Sequence, residues 1–320
     1  MKALTLSSFG GSDVLEYREI NDPVLQADEL LVEMKTIGLN FADLMRRNGV
    51  YPMRGNAPYL NGFEGAGIVK NNNGHAGFSI GDRVAFADVP FANADLVAAP
   101  FDNLVPLPDE ISFETAASVM LQGLTAHFLT SDSHAIKKGE TVLIHAAAGG
   151  VGQLLIQVCK ILGAKVIGLA SSESKKEIAL ALGADTVFLY GEDWKTKVLE
   201  MCPNGVDAVY ESIGTTMESS LAVTKILGQV VLFGLAGGKL ELGNPLWIIA
   251  HSKSIIGGDL WNYLTCREER LRRAKILFDW IIDGKIKISA PTVFKLSEGK
   301  KAHDFMEGRH STGKVLMVPG

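Results

Sequence analysis

The stretch Val142-Leu143-Ile144-His145-Ala146-Ala147-Ala148-Gly149-Gly150-Val151-Gly152 runs a short apolar strand straight into a glycine-rich turn. Beyond the turn, Val151, Leu154, Leu155, Val158, Ile161 and Leu162 recur at three- and four-residue steps, which predicts a helix with one buried face. This is the setting in which a glycine signature binds a dinucleotide. The glycines allow a tight turn and close backbone approach, and the helix N-terminus presents free N–H groups to a pyrophosphate. Ala147 stands at the first position of Gly-x-Gly-x-x-Gly, Gly149 and Gly152 keep the other two, and Gly150 and Val151 lie between them.

Working outward, the same rhythm repeats. Apolar strands at Lys165–Ala170, Thr186–Tyr190, Val206–Glu211, Gln229–Gly234 and Ser254–Gly257 alternate with helical segments. Gly163, Gly183 and Gly228 stand where helices should stop, as left-handed C-caps. Strand–helix alternation at this spacing predicts a doubly wound parallel sheet of the Rossmann kind, an α/β fold. The second strand chooses the dinucleotide. An NAD site presents a carboxylate there to the ribose 2′-hydroxyl, but this strand ends in Ala170. Ser171, Ser172 and Lys175 follow and suit a 2′-phosphate, so NADPH is the expected cofactor. Ser171 and Ser172 could equally cap the next helix, with Lys175 solvated.

The flanks read differently. Glu29–Thr36 partly alternates, and glycine-bounded segments at 65–70 and 81–86 enclose the turn Asn71-Asn72-Asn73-Gly74, predicting a compact β-barrel-like domain. Ser112 is a possible cap for the helix that follows it. After residue 265 a helix from about Cys266 to Ile282 places Leu271, Ala274, Phe278, Ile281 and Ile282 on one side. Its Arg267, Glu268, Glu269, Arg270, Arg272 and Arg273 read as a solvated face. The tail Gly313-Lys314-Val315-Leu316-Met317-Val318 reads as a last strand.

Composition excludes several classes. In 320 residues, 31 Lys and Arg face 36 Asp and Glu, a net charge of −5, so no basic footprint marks a nucleic-acid or anionic-membrane partner. No long apolar run predicts a membrane span, and Met1–Leu6 lacks the apolar core of a signal peptide. The three cysteines, Cys159, Cys202 and Cys266, are too sparse for a disulfide framework and suit a reducing cytoplasm.

With these segments in view, the chain resembles the zinc-independent quinone oxidoreductase branch of the medium-chain dehydrogenase/reductase superfamily. The resemblance rests on Gly38-Leu39-Asn40-Phe41-Ala42-Asp43, Gly62-Phe63-Glu64-Gly65-Ala66-Gly67, Gly81-Asp82-Arg83-Val84, Gly123-Leu124-Thr125-Ala126, the glycine turn, Phe233-Gly234 and Gly313-Lys314-Val315. It implies a GroES-like catalytic domain built from residues 1–123 and 265–320, with the Rossmann domain, 124–264, inserted between. It also implies a homodimer, for which the strand near Lys253–Gly257 offers an apolar edge.

Zinc-bearing relatives hold the metal with Cys, His and Cys or an acid. Here Asn40 stands at the first ligand position and Phe63 where the His would be, so no metal is expected. Without a Lewis acid, reduction of an electron-poor acceptor such as a quinone asks least of the protein. The resemblance places Asn40 and Thr125 near the nicotinamide, Asn40 as amide donor or positioning group, and Tyr51 at the acceptor as a possible proton source. Met45 stands where relatives often carry a second Tyr. Tyr190 would flank adenine and the 2′-phosphate, Phe233 and Gly234 the nicotinamide ribose, and Arg309 a cofactor phosphate. The expected activity is NADPH-dependent quinone reduction. The alternatives are enone or enal reduction and a non-catalytic NADPH-binding protein.

Overall fold

The computed structural model describes residues 1–240, 242, 246–308 and 311–320. From the N-terminus come β1 (Lys2–Leu6), β2 (Leu15–Glu19), β3 (Glu29–Leu39), α1 (Phe41–Arg47), β4 (Tyr59–Leu60) and β5 (Glu64–Asn71). Next are β6 (Arg83–Phe86), β7 (Leu96–Pro100), β8 (Val105–Pro106) and α2 (Phe113–Phe128). β3 alternates buried and half-buried positions at first, then buries Ile37, Gly38 and Leu39 in succession as it runs up to Asn40. Asn73 and Gly74 take φ of 49° and 81° in the turn after β5. Only residues that tolerate the left-handed region fit there. Ser112 Oγ accepts the Thr115 N–H at 3.0 Å and caps α2.

The middle of the chain supplies β9 (Thr141–Ile144), α3 (Gly150–Ile161), β10 (Lys165–Ala170), α4 (Glu173–Ala181), β11 (Thr186–Leu189) and α5 (Trp194–Met201). It continues with β12 (Val206–Glu211), α6 (Met217–Val223), β13 (Thr224–Leu232), α7 (Leu246–Ala250) and β14 (Ser254–Gly257). These strands form one parallel sheet in the order β11-β10-β9-β12-β13-β14. The order reverses between β9 and β12. Their carboxyl ends are therefore the switch point where such sheets bind ligands.

Two details differ from the sequence reading. α3 is buried all round from Gly152 to Cys159, including Gln153 and Gln157, rather than on one face. Its glutamines find backbone partners: Gln153 Nε2 donates to Ala148 O, and Gln157 Nε2 to Lys287 O. Gly163 and Gly183 do take positive φ, 85° and 103°, but Gly228 does not and lies inside β13. There α6 ends at Thr224 in extended backbone, and the left-handed residue is Leu227 at φ 62°. Gly228 serves close packing instead, since a Cβ would lie 2.9 Å from Lys225 O and 3.0 Å from Asp207 O.

The chain ends with α8 (Arg267–Ile282), β15 (Thr292–Lys295), α9 (Gly299–Glu307) and β16 (Val315–Val318). β16 pairs antiparallel with β3, Val315 opposite Leu39, which brings the tail beside the end of β3. The path β15-β16-β3-β5-β6-β8, with β7 also on β3, forms the larger sheet. α8 corrects the prediction of a solvated charged face. Leu277 joins Ala274 and Phe278 in the core, whereas Ile282 is exposed and Arg273 is buried. Arg270 pairs with Asp88 at 2.7 Å, and Arg267 donates to Phe101 O and Leu104 O while stacking on the Phe101 ring. Arginine can do this because its flat head and apolar stem cover apolar surface while its N–H groups reach carbonyls.

The chain divides into two compact units. One comprises Met1–Leu121, Leu264–Ile282 and Ile288–Gly320; the other comprises Gln122–Tyr263 and Asp283–Lys287. No described helix is long and apolar enough to cross a membrane.

Candidate active site

In the sheet unit, the turn between β9 and α3 forms a backbone cradle. Gly149 is the N-cap of α3 and no side chain caps it. A helix N-terminus without a side-chain cap is suited to an anion. The glycines keep the cradle tight. A Cβ on Gly152 would lie 2.9 Å from Ala147 O and closer still to Ala146 O, and one on Gly150 would strike Gln122. Ala147 is fully buried and donates its N–H to Leu169 O at 2.9 Å, and its methyl packs over Gly168 of β10. This fits the pyrophosphate of a dinucleotide. At the end of β10, Ala170 is buried and Ser171 exposed, and Ser172 Oγ caps α4 by accepting the Lys175 N–H at 3.4 Å. Glu173 points to Lys176, 3.5 Å away.

Behind the cradle lies a buried polar network that the sequence reading missed. Glu211, at the end of β12, accepts the N–H groups of Ile213 (2.7 Å) and Gly214 (3.1 Å) and the hydroxyls of Thr216 and Ser220. His145 Nε2 lies 3.3 Å from the same carboxylate. Its Nδ1 lies 3.1 Å from the Tyr190 hydroxyl, which accepts the Ala146 N–H at 2.9 Å. That hydroxyl therefore donates to His145, and the Nε2–H of His145 faces Glu211 and Ser220. Burial pushes the His145 pKa down to about 4, against the pull of Glu211, and pushes the Tyr190 phenol up. Glu211 is held below the usual carboxylate range: burial opposes ionisation, but His145 and the hydrogen-bond donors outweigh it. Tyr190 thus turns its hydroxyl inward, onto the loop. Phe233 and Gly234 follow β13: the Phe233 N–H donates to Glu211 O at 3.0 Å, and Gly234 lies against Ser212. Thr125 is buried in α2. Arg309 lies outside the described residues.

In the other unit, Asn40 caps α1 and is 4% exposed. Its backbone N–H donates to Asp43 Oδ2 at 2.9 Å. Its Nδ2 donates to Glu64 Oε2 at 2.8 Å and to Gly38 O at 3.3 Å, and its Oδ1 accepts from Lys314 Nζ at 2.7 Å. Both amide N–H groups of Asn40 are thus engaged, by Glu64 and by Gly38 O. Lys314 Nζ also pairs with Glu64, whose Oε1 accepts the Leu121 N–H at 2.6 Å. Asp43 carries a second pair, with Arg46 at 3.3 Å, and the Arg46 guanidinium stands 3.9 Å over the Phe63 ring. Burial pushes the Asp43 carboxyl up while Arg46 opposes it. Tyr51, after α1, is 37% exposed, and its backbone N–H donates to Met45 O. Lys314 carries no short-range signal, because it stands 274 positions from Asn40.

A glycine cradle at the switch point of a parallel sheet in one unit, and a second, β-rich unit that draws on both chain ends, define a two-unit dinucleotide oxidoreductase. Comparison with known proteins agrees. Residues 26–109 match the alcohol dehydrogenase GroES-like domain, and residues 150–274 match the zinc-binding dehydrogenase family. A quinone oxidoreductase of Pseudomonas aeruginosa is 37% identical, covering 99% of both chains. A 2-haloacrylate reductase of a Burkholderia species is 32% identical over 99% of this chain and 98% of its own. The crystal structure of Escherichia coli quinone oxidoreductase complexed with NADPH superposes with a TM-score of 0.94 at 34% identity, covering both chains fully. The chain belongs to the zinc-independent quinone oxidoreductase branch of the medium-chain dehydrogenase/reductase superfamily.

Residues 150–274 match a family described as zinc-binding. At Asn40 and Phe63, where the resemblance puts metal ligands, the chain offers neither thiolate nor imidazole, and the oxygens of Asn40 and Glu64 accept from an ammonium. Among the described residues no three His, Cys, Asp or Glu side chains cluster as a metal site would need.

Proposed function

We propose that this chain transfers hydride from NADPH to a quinone without a metal. The observation that carries this reading is the cradle at β9–α3 beside a β10 that ends in Ala170 without a carboxylate. The cradle fits a pyrophosphate, and Ser171, Ser172 and Lys175 can take a 2′-phosphate that an acid would repel. The acceptor class follows from the likeness to quinone oxidoreductases, one of them complexed with NADPH. NADPH, when bound, would supply the hydride that reduces the quinone, with a proton joining the quinone oxygen to give hydroquinone and NADP⁺. Asn40 and Thr125 border the nicotinamide. Tyr51 lines the acceptor and is the proton source, Met45 adds an apolar wall, and Phe233 and Gly234 run beside the ribose.

The likeness to a 2-haloacrylate reductase supports a second reading. The same hydride can add to the β-carbon of an enone or enal, with a proton joining the α-carbon.

The protein acts as a cytoplasmic homodimer. β14 is a sheet edge, and Ile226, Leu227, Leu246 and Ile249 of the same unit are exposed.

NADPH oxidation followed across a panel of quinones, enals and enones tests the reading. We expect turnover with quinones and a preference for NADPH over NADH; tight NADPH binding with no turnover on any acceptor would overturn it. Lys175→Ala should weaken NADPH about tenfold while leaving NADH nearly unchanged, since one charge-assisted contact is removed. Equal losses for both cofactors in titrations would remove Lys175 from the phosphate site.

A further inference from the structure

The resemblance puts Asn40 and Phe63 at the metal-ligand positions of zinc-bearing relatives, and in this chain an ammonium lies against Asn40. Lys314 immediately precedes β16, and the pairing of Val315 with Leu39 carries it to Asn40. Its side chain is 2% exposed and that of Glu64 fully buried. The ammonium donates to Asn40 Oδ1 at 2.7 Å and to Glu64 Oε2. Asn40 Nδ2 closes the triangle by donating to Glu64 Oε2 at 2.8 Å. Backbone completes the cage: Leu121 N–H holds Glu64 Oε1, and Gly38 O accepts from Asn40. Gly38 leaves room for the carboxylate, because a Cβ there would collide with Glu64 Oε2 and lie 2.6 Å from Ala117 O. A cation in this cage meets the acid and the amide oxygen that a metal would use. A divalent ion beside the ammonium would face its charge at contact distance.

We propose that Lys314 is the built-in cation of this site: a positioning residue whose ammonium fixes the Asn40 amide and the Glu64 carboxylate and keeps a metal out. The catalytic half of this inference rests on the reading that Asn40 borders the nicotinamide; the metal-excluding half does not. Removing the ammonium takes the cationic partner from Glu64 and leaves Asn40 Oδ1 without its donor.

Zinc uptake and kinetics test the two halves separately. Asn40→Cys/Phe63→His supplies a thiolate and an imidazole beside Glu64 while keeping the ammonium, and Asn40→Cys/Phe63→His/Lys314→Met removes the ammonium as well. After incubation with zinc and removal of free ion, elemental analysis should find no stoichiometric zinc in the wild type or in Asn40→Cys/Phe63→His. The triple variant should hold about one zinc per chain, because three protein donors then meet with no ammonium among them. Equal zinc in the two variants, or none in a folded triple variant, would overturn the metal-excluding role.

For the kinetic half, Glu64→Gln/Lys314→Met removes both charges together and so avoids burying a lone one. It should keep near-wild-type NADPH affinity by fluorescence titration and lose kcat about 100-fold, the scale of a misplaced positioning group. Lys314→Arg should recover part of that loss. Unchanged kcat in a folded double variant would reduce the lysine to a structural role. A wild type inactive on every acceptor would sink the reductase reading while the zinc result still judged the lysine.

Discussion

Tyr190 shows how a single hydroxyl can hold a loop. It accepts from Ala146, whose φ of 47° is unusual for a residue with a Cβ, and hands its own proton to His145. Tyr190→Phe removes both bonds but keeps the ring. We expect NADPH and NADH to weaken alike, by about tenfold, as the loss of a buried hydrogen bond implies. A loss confined to NADPH in parallel titrations would return the hydroxyl to the 2′-phosphate. The histidines make a separate prediction. Burial lowers His145 to about 4, and burial together with Arg47 lowers His303 to about 3, against an ordinary 6.5. The unfolded chain takes up these protons near pH 6.5 and the folded chain only well below it. Their contribution is therefore complete above about pH 6.5 and lost as pH falls through the folded values. Tm should drop between pH 7 and 5, and His303→Leu should flatten that slope. An unchanged slope would exclude His303 as a source.

At the scale of elements, what was legible followed from local chemistry. The β9–turn–α3 passage was readable because glycines at Gly149 and Gly152 answer a requirement set within a few residues, and Ser112 caps α2 for the same local reason. Gly228 misled because sequence alone does not distinguish a glycine that ends a helix from one pressed against a neighbouring strand. The pairing of Glu211 with His145 was illegible because His145 follows a neighbouring strand of the sheet, far back along the chain, and Lys314 was illegible as a site residue because Asn40 lies at the opposite end of the sequence. The α3 N-terminus supplies its own test. Gly152→Ala puts a Cβ against backbone oxygens that cannot withdraw, unlike the flexible Gln122 side chain that faces Gly150. NADPH affinity should fall more than tenfold in Gly152→Ala, beyond the effect of Gly150→Ala, if the cradle must keep its shape to receive the pyrophosphate. Fluorescence titration of the two variants decides it, and equal affinities would mean that the cradle relaxes.

For the whole molecule, the distribution of apolar surface bears on assembly. The parallel sheet ends in two edges, β11 and β14. Beside β14 in sequence, α7 exposes Leu246 and Ile249 at 67% and 72%, while Ile226 and Leu227 of β13 stand 64% and 74% exposed. Leu227 holds this position at positive φ, a backbone cost with no packing return inside its own unit. An unpaired strand edge with large apolar side chains in its unit would invite uncontrolled association if left bare, and a second copy of the same edge can satisfy it with closed symmetry. The net charge of −5 is small enough not to oppose such pairing. Sedimentation at micromolar concentration should therefore find a dimer. Leu246→Glu/Ile249→Glu should shift it to monomer, because like charges would meet across a two-fold axis, and should leave circular dichroism unchanged because neither side chain is buried. A wild-type monomer at that concentration would exclude β14 as a dimer edge. A variant that stayed dimeric would move the interface away from α7.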